Sequence, residues 1–155
     1  MRKLVLMIAL PMLFCVAAMA QDARLAGVWK YHDQLNDWWY IRIDIEDGDV
    51  CVSSKVMGQS TDGNDFQVRW EAENVVVNSD GSISFDVYKD KKTYSTDDHL
   101  YWTIWTHFTV KYKVGRLQST EKTYGLGYNS NGCLVEDISD RSTRNRIYHN
   151  EKDNW

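Results

Sequence analysis

Residues 99–116 read HLYWTIWTHFTVKYKVGR, and the reading of this stretch decides the fold. Its even positions are Trp102, Ile104, Thr106, Phe108, Val110, Tyr112 and Val114; its odd positions are Tyr101, Thr103, Trp105, His107, Thr109, Lys111 and Lys113. Side chains on a strand point alternately to its two faces. Period two therefore gives one apolar face and one mixed, wetted face, and β-branched and aromatic residues at nearly every position add local preference. A strand this long needs a partner on each side and a cover for its apolar face, which implies a curved, closed or doubled sheet.

The flanking chain repeats the pattern. Residues 26–31 open a first strand with Trp29. Residues 38–46 place Trp39, Ile41, Ile43 and Ile45 on one face, with Trp38, Tyr40, Arg42 and Asp44 on the other. Asp47-Gly48 is a two-residue hairpin signal. It leads to residues 49–57, where Val50, Val52, Ser54 and Val56 alternate with Cys51, Ser53 and Lys55. Residues 65–73 offer Phe66, Val68, Trp70 and Ala72 inward, and residues 82–88 offer Ile83, Phe85 and Val87. Residues 89–92 read as a charged turn, 117–124 as a polar edge strand, 125–127 and 129–132 as loops around a weak pairing element, 133–138 as an apolar segment with Leu134, Val135 and Ile138, 139–143 as a helical turn and 144–149 as a last short strand. About eight to ten strands on short connections predict an all-β, antiparallel up-and-down barrel, with a β-sandwich as the alternative.

The first twenty residues are set apart. Arg2 and Lys3 precede an apolar run over 4–18, and Ala18-Met19-Ala20 ends it, the pattern of a secretory signal peptide cut before Gln21. The expected domains are thus 1–20, a signal peptide, and 21–155, one β-barrel. Export to the periplasm or the extracellular space follows. Phe14 before Cys15 argues against a lipid anchor. The whole chain holds 18 basic and 22 acidic residues, and loss of Arg2 and Lys3 leaves a net charge of −6. A mildly acidic surface with scattered lysines excludes nucleic acid and anionic membrane as partners. No later stretch is long and apolar enough for a transmembrane helix. Cys51 and Cys133 read as one disulfide, worth about 2–4 kcal/mol if formed, or as two free thiols. Oligomeric state is not encoded in any pattern here.

Gly27-Val28-Trp29 near the start, with Arg144 and Arg146 near the end, resembles the lipocalin-like (calycin) barrels of bacterial secreted proteins. Those folds open with a Gly-x-Trp strand and stack a late arginine on the tryptophan ring. The resemblance implies that Gly27, Trp29 and Arg146 close the barrel floor, a guanidinium lying on the indole. It also implies an eight-stranded barrel whose open end binds a small hydrophobic molecule. The resemblance rests on these two anchors, and the long helix of classical members is missing.

Two sets of residues are candidates for function. The inward rings either fill the core or line a cavity; as a cavity, Trp39, Phe66, Trp70, Trp102 and Tyr112 are walls and Thr106 a polar contact for an apolar or amphipathic ligand. The outward set, Trp38, Tyr40, Arg42, Trp105 and His107, is the alternative: an exposed aromatic face for a carbohydrate or a protein partner. Catalysis has little support. Nucleophile-elbow, zinc-protease, phosphate-loop and calcium-loop patterns are all missing, and Asp97-Asp98-His99 reads as a solvated turn rather than a metal site. The expectation is a binding protein without cofactor, metal or catalytic residues, although a His107–Asp44 pair would form if their strands were neighbours.

Overall fold

Ten antiparallel strands form one sheet in the computed structural model, which describes residues 23–95, 100–129, 131–137, 142–152 and 155, without the side chains of 89–95, 100–102, 135, 136 and 142. The expected signal peptide, with Cys15, lies outside the described residues, as do Asp97-Asp98-His99. The strands are β1 (Gly27–His32), β2 (Trp38–Glu46), β3 (Asp49–Gln59), β4 (Asp65–Glu71), β5 (Glu73–Val77), β6 (Ile83–Ser95), β7 (Leu100–Lys113), β8 (Arg116–Tyr128), β9 (Leu134–Asp137) and β10 (Ser142–Glu151). A 3-10 turn, Ala23–Leu25, precedes them. The order across the sheet is β4-β3-β2-β1-β10-β8-β7-β6-β5, with β9 on β8 above β10. One continuous sheet curls into a nearly closed barrel, so the sandwich alternative is set aside.

The two ends of that order are neighbours in sequence. After Glu71 the chain leaves β3, the Ala72 amide donating to the Val52 carbonyl at 2.9 Å, and from Glu73, opposite Asp86, it runs beside β6. Asn74 takes φ 54° at the swing, a left-handed conformation that asparagine tolerates. β4 and β5 are thus one bent strand that changes partner, and a seam between the sheet ends lies beside it.

The interior divides into two halves. At the end carrying the 3-10 turn, Leu25, Trp29, Ile43, Ile83, Phe85, Phe108, Val110 and Leu117 are buried. Leu25 is the plug: its carbonyl accepts the Trp29 indole N–H at 2.9 Å, and Trp29 meets the Tyr112 ring edge-on at 6.2 Å. Phe85 and Phe108, cross-strand partners, stack at 5.0 Å. The other end is ringed by the loops at 33–37 and 60–64 and by the tops of β6, β7 and β8.

Several sequence-based boundaries move. The expected charged turn at 89–92 lies inside β6, where two register shifts take up the irregular pattern. β8 is not an edge: it pairs with β7 along its whole length and with β10 and β9 on its other side, and it absorbs the expected loop at Gly125 and Gly127. Its polar look has a structural cause, since Ser119 and Glu121 point inward to a buried cluster described below. Within the expected helical turn, Ser142 and Thr143 are instead the start of β10.

The disulfide is not formed. Cys51 sits on the outer wall of β3 opposite Asp44, Cys133 lies in the turn before β9, and both are exposed and free. About three strand spacings, on the order of 14 Å, separate β3 from the flank of β8, beyond the reach of a bridge. Iodoacetamide added to native protein without reductant is expected to label both Cys51 and Cys133 in a peptide map; recovery of a Cys51–Cys133 linked peptide would contradict this.

Candidate functional site

The loop-end half of the barrel has a polar floor. Tyr148 and Arg146 on β10 and Ser119 and Glu121 on β8 alternate inward, and register brings them together because Arg146 lies opposite Ser119. The Glu121 carboxylate accepts from the Ser119 hydroxyl at 2.8 Å, the Tyr148 phenol at 3.1 Å and Arg146 Nη1 at 3.0 Å. The Glu121 and Arg146 side chains are 5% and 9% exposed, so this is a buried ion pair with three donors on one carboxylate. Its guanidinium lies 5.0 Å from the Tyr31 ring and 4.9 Å from the Trp39 ring. Trp39 in turn donates its indole N–H to Asp33 at 2.9 Å, which anchors the 33–37 loop over this end.

Electrostatics follow from that packing. Burial is the largest influence and would weaken the Arg146 charge, but Glu121, Tyr148 and Tyr31 together outweigh it and raise the Arg146 pKa. Burial first, then the Glu121 charge, push the Tyr148 phenol well above its ordinary value, so it stays a donor. Burial would raise Asp33 as well, yet the Asp37 amide, the Trp39 indole and the Leu35 amide together hold it below its ordinary value.

Above this floor Val87, opposite Thr106, and Val56 on β3 are still buried, but several other inward positions are small or wet. Thr106 on β7 is buried beside Thr123, and Gly125 and Gly127 on β8 face Ile104 and Trp102 across the ladder. Glycine inside a strand marks a place where something approaches the backbone closely. On β4, Val68 shares its face with Trp70 yet is 42% exposed. An inward residue that meets water shows that the barrel is open here, along the β4 side of the seam.

Of the inward residues proposed from sequence, Trp39, Trp70 and Tyr112 pack against the core, Thr106 is buried and Phe66 is half-buried. Phe66 crosses Gly58, where a Cβ would stand 3.0 Å from the ring. Tyr112 belongs to the plugged end with Trp29, not to the open half. The Trp102 side chain lies outside what is described. Arg146 does not cap Trp29: Trp29 pairs with Asn150, four residues down β10 from Arg146, roughly 13 Å along the strand. Gly125, Gly127, Glu121 and Tyr148 were missed by the sequence reading. The Gly-x-Gly at two-residue spacing within a strand period was the one available signal.

The outward set does not form one face. Trp38, Tyr40 and Arg42 lie on β2, whereas Trp105 and His107 lie on β7, with β1, β10 and β8 between. Tyr40 is buried. Tyr88, Trp105 and Tyr124 stack across β6, β7 and β8 at 5.7 and 5.3 Å, so Trp105 turns its ring faces to its neighbours rather than to a flat ligand. His107 meets Asp86 at 2.7 Å, and Asp44 is on the far wall. A concavity of about 450 Å³ lies on the outer wall among Ser82, Lys111, Gln118, Thr120 and Asn145, where Thr120 bonds Asn145 and Ser82 bonds Asp80. Neither Trp39 nor Trp105 lines it.

Among the described residues no cluster of His, Cys, Asp and Glu is arranged to hold a metal, and no helix is long and apolar enough to cross a membrane. No protein-family model, curated protein or solved structure matches the chain.

Two outcomes test this geometry. Arg146→Met strands a buried carboxylate and is expected to cost about 3–5 kcal/mol in urea unfolding, while Arg146→Met/Glu121→Leu recovers most of it. Because Asp33 is held below its ordinary value of 3.8, its contribution is full above that pH and drains away as pH falls through the lower folded value. The stability gap between wild type and Asp33→Asn is therefore expected to narrow steadily below about pH 4.

Proposed function

We infer that this is an exported lipocalin-like protein that holds a small apolar or amphipathic molecule in the loop-end half of its barrel. The supporting observation is a change in the interior: packing is apolar below the Glu121–Arg146 pair, whereas above it several inward positions beside the buried Val56 and Val87 are small or solvent-touched. A ligand seated there meets the rings of Trp39 and Trp70, the Thr106 hydroxyl and the Gly125–Gly127 backbone. Apolar walls with a few fixed polar groups are what such sites use. The polar floor supplies an orienting end, and the β4 side of the seam supplies a route inward. The reaction-free reading rests on the same cluster: the Glu121 carboxylate already accepts from three donors, and Tyr148 is held protonated.

Native mass spectrometry of the purified protein is expected to show an extra mass that is lost on unfolding. As a defined probe, neutral N-phenyl-1-naphthylamine is expected to bind wild type at least tenfold more tightly than Gly125→Val or Gly127→Val, which fill the open half. Equal binding by all three, with near-ultraviolet circular dichroism confirming the fold, would rule the inner site out.

A further inference from the structure

The outer wall of β1–β4 carries an unusual cross-strand row. Register places Lys30 opposite Tyr40, Tyr40 opposite Lys55, and Lys55 opposite Arg69. Like charges directly opposite one another across a ladder are unfavourable. Lys30 has a partner in Glu151, and Arg42, two residues along β2 from Tyr40, has one in Asp44. Lys55 and Arg69 have no acidic partner among the described residues.

Lys55 is also buried, at 3% exposure. What covers it is aromatic. Its ammonium lies 4.4 Å from the Tyr40 ring centre and 5.1 Å from that of Trp155. Arg69 and Arg42 approach the same Trp155 ring at 5.6 and 5.9 Å. One indole therefore sits among three cations, two of them uncompensated. Cation–π contacts offset only part of the cost of burying an unpaired ammonium. Burial, followed by repulsion from Arg69, lowers the Lys55 pKa, as expected for a cation lacking its anion.

We propose that this cleft, built by Tyr40, Arg42, Lys55 and Arg69, is a binding site for an aromatic ring carrying a carboxylate, and that Trp155 occupies the ring's place. The seat for the ring is filled by indole, and the two cations beside it have no carboxylate partner among the described residues. A carboxylate on the same ring would meet Arg69 and Lys55 together and relieve their repulsion. The site lies on the opposite surface of the sheet from the barrel interior and is independent of the ligand proposed there.

The probe is indole-3-acetate, with neutral 3-methylindole for comparison, measured by isothermal titration calorimetry. Trp155→Ala is expected to bind indole-3-acetate at least tenfold more tightly than wild type does, and at least tenfold more tightly than it binds 3-methylindole. Adding Arg69→Gln, an exposed change that leaves the core untouched, is expected to cut that affinity at least fivefold; Lys55→Met is expected to do the same. The proposal is overturned if Trp155→Ala binds no indole-3-acetate, if it binds acid and neutral ring alike, or if Trp155→Ala/Arg69→Gln binds as well as Trp155→Ala. Near-ultraviolet circular dichroism of each variant separates lost binding from lost fold.

Discussion

The buried pair of Glu121 and Arg146 sets the terms for the rest of the barrel. Two charges taken out of water are tolerated only when their attraction and hydrogen bonds offset the lost hydration. Here Ser119, Tyr148 and Arg146 converge on one carboxylate, and Tyr31 and Trp39 sheathe the guanidinium. Such a cluster needs β8, β10, β1 and β2 in one register. Slipping any of these strands by one residue would turn its inward groups out to water and strand the others. The pair thus ties the first strands of the chain to the last, which is where an up-and-down barrel must be joined.

Closure on the other side uses backbone rather than charge. β4 and β5 are one strand that changes neighbour at Ala72, which lets a sheet of nine consecutive partners meet itself without a further turn. The arrangement leaves a stretch of β4 paired only with β3. Val68 reports the consequence, an apolar side chain on the inner face that still meets solvent. Tight packing around Leu25 and Trp29 and looseness beside β4 are two ends of one design: the plug supplies stability, and the seam supplies room.

Inside and outside also differ in how aromatic rings are used. Within the barrel, Trp29 and Tyr112 meet edge to face and Phe85 and Phe108 stack, contributing area and shape. On the outer wall, rings either stack along a ladder, as Tyr88, Trp105 and Tyr124 do, or shield cations, as Tyr40 and Trp155 do. Seven tryptophans in one small domain are thus not one functional set. Trp29 belongs to a plug, Trp39 to a charge sheath, Trp105 to a surface ladder, and Trp155 lies over the outer-wall cations.

Strand identity, facing and the two-residue turn at Asp47-Gly48 were legible in the residues alone, because alternation and turn chemistry are local. The 99–116 stretch announced β7, its even residues Thr106, Phe108 and Val110 are buried while Val114 falls in the exposed turn beyond the strand, and the all-β barrel followed. What met what across the sheet was not legible. Arg146 stacks on Tyr31 and Trp39 instead of Trp29, Cys51 and Cys133 stay apart, and Trp38 and Trp105 sit on different walls. Lys55 and Arg69, unremarkable in sequence, become an unmatched pair. Each of these depends on strand order and register, which place residues tens of positions apart side by side. Period two names the face a side chain takes, but it carries no information about its neighbour on the next strand, and only the folded sheet decides that.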